Sequence, residues 1–237
     1  MQTTSPNPVE RRVWDLPVRI FHWLLVLAVA GAWATHEFGG VSAFVYHQWC
    51  GYAVLVLVSF RILWGLVGTR HARFWNFVRN PLATGRYGVD LLRGRDAHYA
   101  GHNPLGAWMV VVLLLALLAQ AVLGLFGDDE ISNLGPLNGY VDPDRAIELT
   151  SIHRQLFWWI AGAIGLHVAA VLFHRFVKGE KLVRAMFTGR KPAAVVPESE
   201  AIQTSRIALA LLIVAVLAAV LAWVVIHAPP PQNLDLF

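Results

Sequence analysis

The sequence predicts an all-α integral membrane protein, a four-helix bundle followed by a fifth, C-terminal transmembrane helix. Three observations carry that prediction. Of 237 residues, 57% are hydrophobic and only 14% charged, against roughly 45–50% and 25% in soluble domains. Five apolar runs are about long enough to cross roughly 30 Å of hydrocarbon as helix. Lysines and arginines crowd alternate connections between those runs.

The runs cover residues 18–35, 44–67, 105–126, 151–176 and 207–227. The first has features of a secretory leader, with Arg11 and Arg12 before it and Ala32-Trp33-Ala34 within it. A leader's apolar region spans only about 7–15 residues and needs no histidine, so the run reads as a retained span. The fourth is apolar except for His153, Arg154, His167 and His174. The last holds no charge and no histidine before His227 and reads as an accessory span. The chain thus divides into a four-span domain (1–190), a polar, proline-containing linker (191–205), and the fifth helix with a short tail (206–237).

Charge orients the spans. Arg11, Arg12 and Arg19 precede or open the first; Arg70, Arg73, Arg79, Arg86, Arg93 and Arg95 fill the second connection; seven basic residues from Arg175 to Arg206 fill the fourth. The first connection has none and the third only Arg145. The positive-inside rule therefore places the N-terminus in the cytoplasm and the C-terminus outside. From Arg70 to His102 the arginines alternate with Phe74, Trp75, Phe77, Tyr87, Leu91 and Leu92, which suits short helices in an anionic lipid interface. Bilayer on both sides of this segment favours lipid over nucleic acid as its contact. The third connection, GDDEISNLGPLNGYVDPDRAIE, is acidic and turn-rich. It reads as a solvated loop or a dock for a basic partner.

The single cysteine, Cys50, excludes an internal disulfide, an iron–sulfur cluster held by this chain alone, and covalent haem attachment through C-x-x-C-H. A redox cofactor would have to be held by other side chains, and histidines inside the spans are the candidates, because ionisable groups in a bilayer are costly and usually functional. His153 and His167 are fourteen residues apart. On a helix that is nearly four turns, so both rings project from one face about 21 Å apart along the axis. Charge orientation pairs each with a histidine at its own depth: His47 with His153 at the outer level, His22 with His167 at the inner.

Two bis-histidine sites at two depths of a four-helix bundle suit two haems b, with both axial positions filled and the iron left to pass electrons. A zinc site would gather three or four ligands at one depth. Arg19, three residues before His22, and Arg61, fourteen after His47, can pair with propionates of the inner haem, and Arg154 with those of the outer. The alternative for each is snorkelling to lipid phosphates. His36, fourteen residues after His22, competes with His47 as the outer ligand; Gly51, four residues after His47, favours His47 by leaving room for a macrocycle. His174 competes with His167 in the same way. His71, His98 and His227 read as interfacial.

The motifs WDLPVRIFHW, HQWCGYAVLVLVSFRILWGLVG, GHNPLGAWMVVVLLLALLAQAVLGLF and HRQLFWWIAGAIGLH occur in that order between Val13 and Arg190. In them the chain resembles the bacterial cytochrome b561 and nickel–iron hydrogenase b-type cytochrome family, to which the formate dehydrogenase cytochrome b subunit is related. The resemblance implies a multi-pass protein of the bacterial inner membrane, so that the outside to which charge assigns the C-terminus is the periplasm, with two haems b on His22 with His167 and His47 with His153. It also implies a quinone site near the inner haem, for which His102 and Asn103 are the candidates, a capped helix start before Pro104 being the other reading of that pair. The function implied is electron transfer between a periplasmic or membrane redox partner and the quinone pool, as the electron-transfer subunit of an oxidoreductase. No residue is assigned a catalytic role. The partners implied are quinone and a c-type cytochrome or a hydrogenase- or dehydrogenase-type redox subunit; the apolar spans themselves call for membrane lipid, and a homo-oligomer stays open. The alternatives are a superoxide:quinone oxidoreductase, which needs a basic entry that the acidic outer connections lack, and a haem-free transporter or scaffold, which needs a polar path where the spans offer little beyond Gln120 and Ser59.

Overall fold

The computed structural model describes residues 9–95 and 98–231; residues 232–237 of the expected outer tail lie outside them. In chain order the elements are β1 (Glu10–Arg12), α1 (Leu16–Phe38), α2 (Phe44–Val67), α3 (Phe74–Phe77), α4 (Pro81–Leu92), α5 (Pro104–Leu125), α6 (Pro143–Phe176), α7 (Leu182–Thr188), β2 (Arg190–Pro192) and α8 (Ile207–Ile226), with short 3₁₀ turns between some of them. Helices α1, α2, α5, α6 and α8 are long and apolar enough to span a membrane. They expose large apolar side chains, among them Leu27 (67%), Leu115 (58%), Leu166 (62%) and Leu211 (65%). A bilayer solvates that surface where water would not.

Capping residues set the helix starts. Asp15 Oδ1 accepts the Val18 N–H at 2.7 Å, so α1 opens two residues ahead of the apolar run. Asn103 Oδ1 accepts the Gly106 N–H at 2.7 Å ahead of Pro104, the first residue of α5. Asp142 Oδ1 accepts the Arg145 N–H at 3.0 Å ahead of Pro143. That cap starts α6 eight residues before the apolar run at 151, taking in the end of the stretch expected as loop. With 34 residues, α6 is about 51 Å long, well beyond the roughly 30 Å of a hydrocarbon core. Hydropathy marks where lipid contact begins, whereas the cap marks where the helix begins.

The chain forms two compact units. The first comprises Met1–Ile20, Leu63–Val110 and His167–Ile207. In it β1 and β2 pair antiparallel, Glu10 opposite Pro192 and Arg12 opposite Arg190. Gly189 ends α7 at φ 77°, and its carbonyl accepts the N–H groups of Val13 (2.8 Å) and Trp14 (3.1 Å). A side chain at this left-handed position would also lie 2.7 Å from the Trp14 carbonyl, so glycine is required twice over. The segment 191–205, which joins α7 to α8, is held against the N-terminal residues: Ala193 N–H bonds Val9 O (2.8 Å), Ile202 N–H bonds Arg12 O (3.0 Å), and Val196 is wholly buried. The buried Lys191 ammonium donates to Tyr99 O at 3.0 Å and Gly101 O at 3.3 Å. Burial pushes its pKa below the ordinary lysine value, with Glu180 opposing the shift.

The second unit comprises Phe21–Ile62, Val111–Leu166 and Ala208–Phe237. Its acidic connection is folded on itself. Asp129 accepts the backbone N–H groups of Ile131, Ser132 and Asn133 at 2.8–3.0 Å and the Asn133 side chain at 2.6 Å. Burial pushes this carboxyl upward, but those donors outweigh it and hold the pKa down at about 2. Gln48 Nε2 pins the same loop to α2 through Leu134 O at 3.0 Å.

Candidate functional site

The second unit brings three sequence-predicted histidines together. The His47 ring on α2 and the His153 ring on α6 have centroids 6.2 Å apart with planes at 74°. His36, at the end of α1, is exposed, and its centroid lies 6.0 Å from that of His47. Each half-buried ring of the first pair is tied by one nitrogen to a neighbouring helix. His47 Nδ1–H donates to Ala32 O on α1 at 2.9 Å, and His153 Nδ1–H donates to Gln120 O on α5 at 2.9 Å. Phe44, one turn before His47, stacks on its ring at 6.0 Å and 16°.

These contacts decide the chemistry available. A carbonyl can only accept, so Nδ1 carries the proton in both rings and Nε2 keeps the lone pair that could bind a metal. A nitrogen ligand binds a first-row metal at about 2.0 Å and sits about 1.1 Å from its ring centroid, so two imidazoles on opposite sides of one ion have centroids about 6 Å apart. The His47–His153 spacing fits that requirement, as does His36–His47 at 6.0 Å; what distinguishes the first pair is that a backbone carbonyl holds Nδ1 of both its rings. Although His36 also lies beside His47, among the described residues no three His, Cys, Asp or Glu side chains are placed to hold one metal ion.

Space beside the pair is made by glycine. A Cβ on Gly124 would lie 3.1 Å from His153 Cε1, so any larger residue would press on that ring and glycine lets α5 approach it without strain. Around the Cβ position of Gly51, four residues after His47, nothing lies within 4 Å, which leaves room for a large planar group. Gln120 Oε1 is buried with no hydrogen-bond partner among the described residues. Together these features fit a bound macrocycle carrying a six-coordinate metal. Sequence reading passed over Gln120 and Gly124 as site residues, although a glutamine with a glycine four residues later in an apolar span was the available signal.

The other predicted residues fall in both units. In the second, His22 on α1 is half-buried and meets Trp23 edge-on at 5.0 Å, and Arg61 on α2 is 2% exposed. Arg154 is exposed beside His153. In the first unit His167 on α6 is half-buried. Arg19, expected beside a propionate, directs Nε to Met186 O at 3.2 Å and Nη2 to Phe187 O, so part of its guanidinium binds the last turn of α7.

His102 and Asn103 come together in the first unit with partners the sequence did not suggest. The His102 ring lies 4.7 Å from both Trp14 and Phe77. Asn103, besides capping α5, donates from Nδ2 to His174 Nε2 at 3.3 Å. His174 is buried, and its Nδ1 faces Glu180 Oε2 at 3.3 Å. Glu180 Oε1 in turn lies 3.6 Å from Nε2 of the half-exposed His98. His71 Nε2–H donates to Glu200 O at 2.8 Å, and burial pushes the pKa of this ring down.

Comparison with known proteins gives a consistent picture. Across residues 13–189 the chain matches the sequence profile described as prokaryotic cytochrome b561. It is 26% identical over 216 residues to the "Probable Ni/Fe-hydrogenase B-type cytochrome subunit" of Rhodobacter capsulatus, covering 76% of this chain and 80% of that protein. It is 24% identical over 224 residues to the "Probable Ni/Fe-hydrogenase 1 B-type cytochrome subunit" of Escherichia coli K12, covering 80% and 94%. It is 29% identical over 177 residues to the "Probable superoxide oxidase CybB" of Yersinia pestis, covering 70% and 90%. With three quarters of its length matched, the chain belongs to the prokaryotic cytochrome b561 family and is a multi-pass, haem-binding b-type cytochrome of membrane electron transfer.

Proposed function

We propose that the protein is a di-haem electron carrier that moves electrons between a periplasmic or membrane redox partner and the quinone pool of a respiratory chain. The observation that carries this reading is the His47–His153 pair, 6.2 Å between centroids with each Nδ1 held by a backbone carbonyl. A b-type haem supplies reversible one-electron chemistry when bound. In this reading His47 and His153 hold one haem; the Ala32 and Gln120 carbonyls fix their tautomers, and Gly51 and Gly124 admit the macrocycle. His22 and His167 hold the second haem, an assignment that rests on helix register: His167 lies fourteen residues from His153 on α6. Arg61 and Arg19 would serve its propionates, and Arg154 those of the first. The N-terminus is cytoplasmic and the C-terminus periplasmic in this arrangement. Names borne by the relatives point to a hydrogenase-type subunit as partner.

Gly124→Leu is expected to displace the His153 ring and to perturb a single haem. Redox titration should show one altered wave and one unchanged wave; two unchanged waves would remove Gly124 from the site.

In this reading the quinone site lies beside His102 and Asn103. His102 would exchange the proton that accompanies quinone turnover, since an imidazole titrates near neutral pH. His102→Ala should slow quinone-dependent haem oxidation by roughly 10²-fold or more, the lower end for a lost general acid–base, while haem content stays at two per chain. Unchanged oxidation would refute the role.

A second reading, superoxide:quinone oxidoreductase, is favoured by the relative named as a superoxide oxidase. Stopped-flow mixing with superoxide separates the two, because only this reading requires rapid haem reduction by superoxide itself.

A further inference from the structure

A cavity of about 520 Å³ in the first unit has no part in the histidine chemistry. Its walls include Arg70, Arg73, Asn76, Gln203, Thr204 and Arg206. Three guanidinium groups thus border one space; Glu200 pairs with Arg70 at 3.3 Å, and the Asp15 carboxylate, behind the lining Thr69, is engaged by the Thr69 hydroxyl, the Trp64 indole and the Val18 N–H. Two of the guanidinium groups are anchored by backbone carbonyls: Arg73 Nε–H donates to Gly68 O at 2.9 Å and Arg206 Nη1–H to Val67 O at 3.1 Å. Each anchor uses one of the five donors a guanidinium carries, so both heads are positioned without being consumed. Arg206 also has φ 47°, a left-handed backbone that a side-chain-bearing residue rarely adopts. The connection accepts that conformation immediately before α8.

The surroundings identify the ligand's other half. Val67 ends α2 and Ile207 begins α8, so the cavity opens where two spanning helices meet their polar connections. Leu66 (48%), Val67 (46%) and Ile207 (48%) are exposed beside it. Trp75, 58% exposed, has the Arg73 guanidinium 5.8 Å from its ring centroid, an aromatic suited to the membrane–water interface. Guanidinium forks match phosphate oxygens, and the apolar helix ends match acyl chains. A free phosphate would use only the first of these features.

We infer that this cavity binds the phosphate of an anionic phospholipid and that the bound lipid fastens the start of α8 to the connection following α2.

The test uses the full-length, haem-loaded protein in mild detergent. Native mass spectrometry would read retained phosphatidylglycerol, and thermal unfolding would be followed with phosphatidylglycerol, phosphatidylcholine or inorganic phosphate added. Wild type is expected to retain phosphatidylglycerol and to gain stability from it alone. Losing one arginine should reduce retention about fivefold, and Arg73→Gln with Arg206→Gln about 25-fold. Arg206→Gly removes the guanidinium at a backbone conformation glycine prefers, so it keeps the fold and should still lose lipid. Arg93→Gln, in the same connection but away from the cavity walls, should retain lipid as wild type does. Equal retention in Arg206→Gly and wild type would overturn the proposal. Inorganic phosphate reproducing the full stabilisation would overturn the lipid assignment.

Discussion

His47→Ala is expected to reduce the haem content from two per chain to one, and His153→Ala to do the same. The combined variant should lose no more than either alone, because both rings would serve one iron and its site fails when either ligand is gone. His36→Ala should keep both haems. The basis is the difference between the two candidates in anchoring: His47 is half-buried, tied to Ala32 O and stacked on Phe44, whereas His36 is exposed at the end of α1. A ligand whose second nitrogen is fixed presents its first in one tautomer and one orientation. Haemochrome quantification with redox titration checks the set. A His36→Ala variant lacking one haem, beside a His47→Ala variant retaining both, would exchange the assignments. His22→Ala and His167→Ala form the matching pair for the second haem, and His47→Ala combined with His22→Ala should leave none.

What the sequence revealed and what it concealed divide along physical lines. The five spanning helices were legible because lipid exposure demands long apolar runs, and the approach of the His47 and His153 rings because charge orientation put both at the outer level. Helix starts were less legible: Asp15 and Asp142 cap α1 and α6 outside the apolar runs, where hydropathy carries no signal. The pairing of Glu10–Arg12 with Arg190–Pro192 joins segments far apart in the chain, and three residues of strand are too few for a periodicity. Segment 191–205 therefore read as a linker, although its backbone is bonded to Val9 and Arg12 and its Ser205 hydroxyl accepts the Leu16 N–H. Arg19 illustrates a further limit. Its spacing from His22 suggested a propionate partner, but spacing could not show that carbonyls of α7 compete for the same guanidinium. The acidic connection was open between a dock and a solvated loop; the caps within it show that Asp129 is engaged by its own loop.

Asp15→Ala is expected to be the most destabilising single change outside the histidines. The carboxylate is 1% exposed and accepts three hydrogen bonds: the Val18 N–H at 2.7 Å, the Trp64 indole N–H at 3.1 Å, and the Thr69 hydroxyl. It thus starts α1 and fixes the end of α2 and the residues just beyond it. Alanine would remove the cap and leave the wholly buried Trp64 with an indole donor deprived of this acceptor. Loss of an N-cap costs about 1 kcal/mol and a buried unsatisfied donor about 1–3 kcal/mol, so the total is about 3 kcal/mol. At this chain length that corresponds to a fall in Tm of roughly 10 °C. Asp15→Asn should recover only part of the loss: its amide oxygen can still cap Val18 and its NH₂ group can donate to the Thr69 hydroxyl, but that NH₂ would face the donor-only Trp64 indole with a donor. Thermal unfolding in detergent, followed by circular dichroism, would order the three proteins as wild type, Asp15→Asn, Asp15→Ala. An Asn variant as stable as wild type would show that the cap alone matters. An Ala variant as stable as wild type would remove Asp15 from the set of residues holding this end of α1.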